Sequence, residues 1–182
     1  TALTFEPGTH IPDIYSHLPG AGMGGRSVIA APYDGRKLAP LIHLLRRPLR
    51  ETSFWGLTIQ AGADLRAFMT MTRQPRALLH VGRRMTRHIW DLARHGRAMQ
   101  LRNGNALIAR LIRSAADLRV AFRTNSPALR LMVEGDRITG AVLASGSTEM
   151  TICATRGVVL ASGGFPQDAD RRAALFPQSA TR

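Results

Sequence analysis

The sequence predicts an α/β fold, an α+β mixture in which a mixed sheet, a β-meander and packed helices follow a loop-rich arm. Three stretches predict it. Residues 75–95 recur apolar at helical spacing, residues 128–153 hold short strand-like runs separated by glycine turns, and Val158-Val159-Leu160-Ala161 runs into Ser162-Gly163-Gly164. The last run is rich in β-branched residues and too short for a buried helix, so it reads as a fully buried strand ending at a glycine pair. Adjacent glycines at a strand's carboxyl end permit positive φ and let backbone approach a ligand closely. The same pair also suits a plain tight turn into a helix with no ligand.

Residues 1–60 contain most of the punctuation. Pro7-Gly8, Pro12, Pro19-Gly20, Gly24-Gly25, Pro32, Gly35, Pro40 and Pro48 interrupt every candidate helix within two turns. Short extended pieces fit Leu3 to Phe5 and Ser27 to Ala31, with a turn at Tyr33-Asp34-Gly35-Arg36. Phe5, Ile11, Ile14, Tyr15, Leu18, Phe54 and Trp55 make the arm too apolar for a disordered terminus, so it is expected to lie against something outside these 182 residues.

From Ala61 the pattern turns helical. A short helix over about 63–71 ends before Pro75, which opens the next one at 75–95. Leu78, Val81, Met85, Ile89 and Leu92 make an apolar face there, with Arg76, Arg83, Arg87 and Arg94 opposite and Gly96 closing the helix. His80, His88 and His95 are never three or four apart, which argues against a metal. A strand at 98–101 leads into Asn103-Gly104-Asn105, where either asparagine can cap a helix whose apolar face is Leu107, Leu111, Ala115 and Leu118. Strands follow at 120–123, 128–133, 138–143 and 151–153, turning at Glu134-Gly135-Asp136 and Ser145-Gly146-Ser147. Asp168 or Asp170 then starts a closing helix that stops before Pro177.

Composition bounds the function. At 182 residues and 45% hydrophobic content the chain is globular, and no apolar run reaches the roughly 18 residues of a membrane span. A soluble, most simply cytoplasmic, protein is expected. Cys153 is the one cysteine, expected as a buried inert thiol, and it rules out an internal disulfide. The formal charge is +13, and Lys37 is the lone lysine among 25 basic residues. Between Arg73 and Arg123 twelve arginines face only Asp91 and Asp117, which favours an anionic partner: nucleic acid, a nucleotide cofactor, an acidic substrate or an acidic protein surface. A solvated arginine face is the plainer account of the stripe on the 75–95 helix.

The order Asn103-Gly104-Asn105-Ala106-Leu107, a helix, strands at 124–131 and 135–142, then Ala154-Thr155-Arg156-Gly157-Val158-Val159-Leu160-Ala161-Ser162-Gly163-Gly164-Phe165 resembles the middle of an FAD-dependent dehydrogenase. The family holds fumarate reductases, succinate dehydrogenase flavoproteins and 3-ketosteroid Δ1-dehydrogenases. Pro12-Asp13-Ile14-Tyr15-Ser16-His17-Leu18-Pro19-Gly20 and Tyr33-Asp34-Gly35-Arg36-Lys37-Leu38 resemble the ketosteroid branch. Members open with a strand, a G-x-G-x-x-G turn and a helix that receives the FAD pyrophosphate, and these residues hold no such strand-turn-helix unit: Gly20, Gly22 and Gly25 have the spacing but stand in the arm that proline and glycine interrupt. The resemblance therefore implies an internal fragment: 1–60 a loop-rich arm, 61–165 the central part of the FAD-binding domain, 166–182 the start of the substrate-binding cap domain.

By resemblance, Ser162, Gly163 and Gly164 form the turn that passes close to FAD, and Pro127-Ala128 belongs to the strand whose backbone touches the adenine. The parent would use FAD, bound weakly or not at all by this stretch alone. No catalytic residue is identified. In the ketosteroid branch an aromatic hydroxyl follows the Asp of the Pro-Asp pair; here Ile14 holds that place and Tyr15 is next, either an acid–base group or a partly buried core tyrosine. Three readings stand: a piece of a flavin-dependent oxidoreductase acting on a small molecule's carbon–carbon bond, a nucleic-acid-binding module, and a non-catalytic interaction domain. The first is preferred. Low aromatic content and the lack of a helix-turn-helix, zinc or RNA-recognition pattern weigh against nucleic acid. Apolar surface left open by such a fragment is expected to drive self-association.

Overall fold

Proline and glycine hold the first sixty residues to short pieces, yet those pieces build much of the first core. The computed structural model describes residues 3–9, 11–166, 168–176 and 178. It divides into two units, Thr1–Phe122 and Arg123–Arg182. In the first, β1 (Phe5–Pro7) pairs antiparallel with β2 (Val28–Ala30), two residues beyond the expected position of the first strand. Next come β3 (Tyr33–Asp34), 3-10 turns at Gly35–Leu38, Leu41–Leu44 and Arg50–Thr52, and a hairpin of β4 (Ser53–Phe54) and β5 (Leu57–Thr58).

Two helices follow at nearly the expected bounds, α1 (Ala63–Thr70) and α2 (Pro75–His95). Pro75 opens α2, where a missing N–H costs nothing, and Gly96 ends it at φ 64 with its N–H on the Leu92 carbonyl. β6 (Gln100–Leu101) pairs with β3, and α3 (Asn103–Asp117) packs on β2, β3, β6 and the first two 3-10 turns. Leu38, Leu45, Tyr33, Leu101, Ala106, Ala109 and Ile112 form this core. Part of the arm thus packs on α3 within this chain, whereas its expected cover lay outside these residues.

Both long helices present a different face from the one periodicity selects. On α2 the buried residues are Ala77, Val81, Arg84, His88 and Asp91, whereas Leu78 and Ile89 of the expected face are exposed. On α3 they are Ala106, Ala109 and Ile112, and Leu111 and Leu118 face solvent. The causes differ. Small alanines let α3 approach its strands closely, while the charged residues of α2 find specific partners that outweigh the transfer energy of leucine. Neither asparagine caps α3; Asn103 Nδ2 donates to Ile59 O at 3.2 Å and Asn105 Nδ2 to Arg46 O at 3.0 Å, tying the helix to the arm.

The second unit is an antiparallel meander of β7 (Ala128–Glu134), β8 (Arg137–Ser145) and β9 (Thr148–Cys153) in the order β7-β8-β9. Gly135 and Gly146, at φ 58 and 62, make its two-residue turns. Gly140 sits mid-sheet, where a Cβ would lie 2.2 Å from the Ile152 carbonyl oxygen. α4 (Ala169–Leu175) follows, capped by Asp168, whose carboxylate accepts from Arg171 N at 3.0 Å.

Three expectations fail in and around this unit. Residues 120–123 form no strand; Arg119 and Asn125, at φ 59 and 54, bend the chain on either side. Residues 157–160 form no regular element and pair with no strand among the described residues, and Val159 is 90% exposed rather than buried. A buried strand needs ladder partners for its N–H and C=O groups, and without them the apolar run stays a solvated segment. Cys153, on the edge strand β9, is exposed.

Candidate functional site

The residues expected to touch a cofactor all lie in the second unit. Pro127 precedes β7 and its carbonyl accepts from Ala144 N at 2.9 Å; Ala128 opens β7 opposite Leu143. Both are exposed. Ser162, Gly163 and Gly164 are exposed as well, on the segment between β9 and α4. Gly163 adopts φ 81, a conformation that side chains resist, and no atom lies within 4 Å of where its Cβ would be. No hydrogen bond joins the two groups among the described residues. The arrangement offers backbone and open space to a ligand, and supplies no acid or base.

Tyr15 is 65% exposed, which corrects the reading of it as a core tyrosine. Its loop, with Ile11, Ile14 and Leu18, lines an open depression of about 560 Å³. The prolines and glycines around it prevent regular structure, so the ring has nothing to pack under. Its nearest aromatic neighbour is His17, edge-on at 6.2 Å between centroids.

Sequence reasoning missed a buried ionic cluster in the first unit. Asp64, in the first turn of α1, accepts from Gln60 N at 3.0 Å, from His80 Nε2 at 2.8 Å and from Arg84 Nη1. Arg84, equally buried, also donates to Thr58 O at 3.0 Å and to Gln100 Oε1 at 3.4 Å, and its guanidinium stands 5.5 Å from the Phe68 ring centre. Arg102 reaches Gln60 Oε1 at 2.7 Å and lies 3.9 Å from Asp64. Of these, Gln60, Asp64 and Arg102 line a cavity of about 250 Å³ between β1 and the start of α1. Farther along α2, the fully buried Asp91 pairs with Arg36, which also holds Asp34; Asp34 in turn holds Arg87 at 3.0 Å. His88 Nε2 donates to Trp55 O, 3.1 Å away. The only signal in the sequence was the 4-3-4-3 spacing of Ala77, Val81, Arg84, His88 and Asp91, a stripe that hydrophobicity alone passes over.

With both oxygens of Asp64 engaged by three hydrogen bonds, the group is a clamp and not a proton shuttle. Burial pushes its carboxyl up, but the hydrogen bonds from His80 and Gln60 and the charges of Arg102 and Arg84 more than offset this, and hold it below its ordinary 3.8. A carboxylate lowered on folding stabilises the fold above its unfolded value, and that contribution disappears as pH falls through the folded one. Acid titration of stability should therefore show wild type losing more than Asp64→Asn below about pH 4. Equal slopes in chemical denaturation between pH 5 and pH 3 would remove this assignment.

The chain matches the FAD binding domain family over residues 13–181. It is 32% identical over 170 residues to 4-oxocyclohex-2-ene-1-carboxylate 5-dehydrogenase of Sinomonas cyclohexanicum, covering 93% of this chain and 29% of that enzyme. Over 166 residues it is 26% identical to 3-oxosteroid 1-dehydrogenase of Comamonas testosteroni, covering 88% of this chain and 28% of that one. The crystal structure of 3-ketosteroid delta1-dehydrogenase from Sterolibacterium denitrificans, in complex with 1,4-androstadiene-3,17-dione, superposes with a TM-score of 0.77 at 28% identity, over 95% of this chain and 32% of that one. The chain thus spans under a third of the length of these relatives. The matches favour the flavoprotein reading over the nucleic-acid and interaction-module readings.

Proposed function

The chain belongs to the FAD binding domain family, and from that premise we propose that the whole protein is a flavin-dependent oxidoreductase, moving two electrons between FAD and a carbon–carbon bond of a cyclic ketone. The carrying observation is the Ser162-Gly163-Gly164 turn, solvent-open with Gly163 at φ 81 directly after an unpaired apolar run. Such a run needs neighbouring strands, and a glycine pair at its end admits a flat ligand against backbone. Ser162, Gly163 and Gly164 are assigned to FAD, and Pro127 and Ala128 to its adenine end. In this reading residues 1–60 are an arm, 61–165 the central part of the flavin domain and 166–182 the start of the substrate-binding domain.

The substrate class rests on the relatives, whose names all carry a ring ketone. A carbonyl acidifies the C–H beside it, so dehydrogenation requires a base for that proton, and FAD, held by Ser162, Gly163 and Gly164, would supply the two-electron acceptor. Tyr15, exposed beside an apolar depression, is the residue of this chain best placed for acid–base work. The isolated chain is assigned a tendency to self-associate through the open run at Val159 and Leu160.

Gly163→Val in the full-length protein tests the assignment. A side chain there is strained by its φ and intrudes on the ligand's approach, so bound flavin should weaken at least about tenfold, equivalent to about 1.4 kcal/mol. The isolated 182-residue chain, in which Gly20, Gly22 and Gly25 have the G-x-G-x-x-G spacing but open no helix, is the colourless control. A folded Gly163→Val protein that stays as yellow as wild type refutes the placement of FAD.

A further inference from the structure

The helix α2 is amphipathic in the inverse sense to an ordinary surface helix. Its buried stripe carries Arg84, His88 and Asp91, and its outward stripe carries Leu78 at 57%, Leu79 at 75%, Ile89 at 57% and Trp90 at 65% exposure. At about 100° per residue these four, with Gly82, Thr86 and Ala93 between them, cover an arc of about 120°. Arg76, Arg83, Arg87 and Arg94 form a row along one border of that arc. Arg76, Arg83 and Arg94 make no ion pair among the described residues, and Arg87 shares Asp34 with Arg36. The helix α1, packed against α2, exposes Met69 at 75%.

We propose that the outward face of α2 seats the protein on an anionic lipid surface, lying in the plane of the interface. A solvent-facing leucine, isoleucine and tryptophan arc bordered by arginines is the composition of an interfacial helix: the apolar arc enters the headgroup boundary, the indole sits at its level, and the guanidiniums meet lipid phosphates. No described helix is long and apolar enough to cross a membrane, so α2 lies flat along its roughly 32 Å length. Charge selects this occupant over a second copy of the chain. The surrounding residues 73–123 hold twelve arginines against Asp91 and Asp117, and Asp91 is fully buried, so another such face offers almost no anions to the arginine row, whereas an acidic bilayer offers them densely.

The test is co-sedimentation of the full-length flavin-loaded protein with phosphatidylcholine vesicles, with and without about one-third phosphatidylglycerol. Wild type should pellet with the acidic vesicles at least about tenfold more than with the neutral ones, and molar salt should reverse most of it. The variants Leu79→Glu and Trp90→Glu should each stay in the supernatant with flavin content and elution volume unchanged, and Trp90→Phe should keep most of the binding. Failure of wild type to pellet with acidic vesicles overturns the proposal. So does loss of folding or flavin in both glutamate variants, which would show the rest of the polypeptide covering this face, and so does a change from a larger to a smaller oligomer, which would show a second copy there.

Discussion

Replacing Arg84 with methionine is expected to cost about 3–5 kcal/mol of stability, the largest loss for any single polar residue in the first unit. The side chains of Arg84 and Asp64 are only 5% and 6% exposed, so neither can rehydrate in place once its partner is gone. Methionine fills most of the volume but strands the Asp64 carboxylate, the Thr58 carbonyl and Gln100 Oε1 in a region closed to water. Arg102, at 3.9 Å, can move toward Asp64 and recover a fraction. Because a buried pair is often no better than apolar residues of equal size, the double variant Asp64→Leu/Arg84→Met should regain much of the loss. Chemical denaturation decides it: a single-variant loss under about 1 kcal/mol would mean that the cluster is wet and weak.

Gly140→Ala should be nearly as damaging although it adds one methyl group. The new Cβ would stand 2.2 Å from Ile152 O and 3.1 Å from Cys153 Cα, both backbone atoms of the neighbouring strand. No rotamer change relieves a clash with backbone, so β8 and β9 must separate where Gly140 pairs with Cys153. The expected cost is about 3 kcal/mol, at the upper end for overpacking. Gly82→Ala is the control: nothing lies within 4 Å of its Cβ position, it is within α2, and alanine there should stabilise by about 0.5–1 kcal/mol. Thermal melts that rank the two variants alike would show the meander to be looser than its register.

Local chemistry was enough to read the meander, α1, α2 and α4, because each is bounded by residues whose effect is confined to a few bonds. Proline at N1, glycine at a left-handed helix end, an aspartate that caps and a glycine in a two-residue turn act the same way in any context. The glycine pair at 163–164 belongs with these, since a positive φ is a property of one residue. Family membership was legible for the same reason, through the run from Gly157 to Phe165 and the Asn103-to-Leu107 segment. Partner-dependent features were not legible. A run such as Val158 to Ala161 becomes a strand only when other strands complete its hydrogen bonds, and among the described residues none does. Which stripe of α2 turns inward was decided by Asp64, Thr58, Gln100, Arg36 and Trp55, which lie between 16 and 55 residues away in sequence and together give partners to Arg84, Asp91 and one ring nitrogen of His88, side chains that hydrophobicity would place in water. Periodicity measures the transfer energy of each residue alone; the fold chose the stripe by pair energies, and those exist only once the partners have been brought within hydrogen-bond reach.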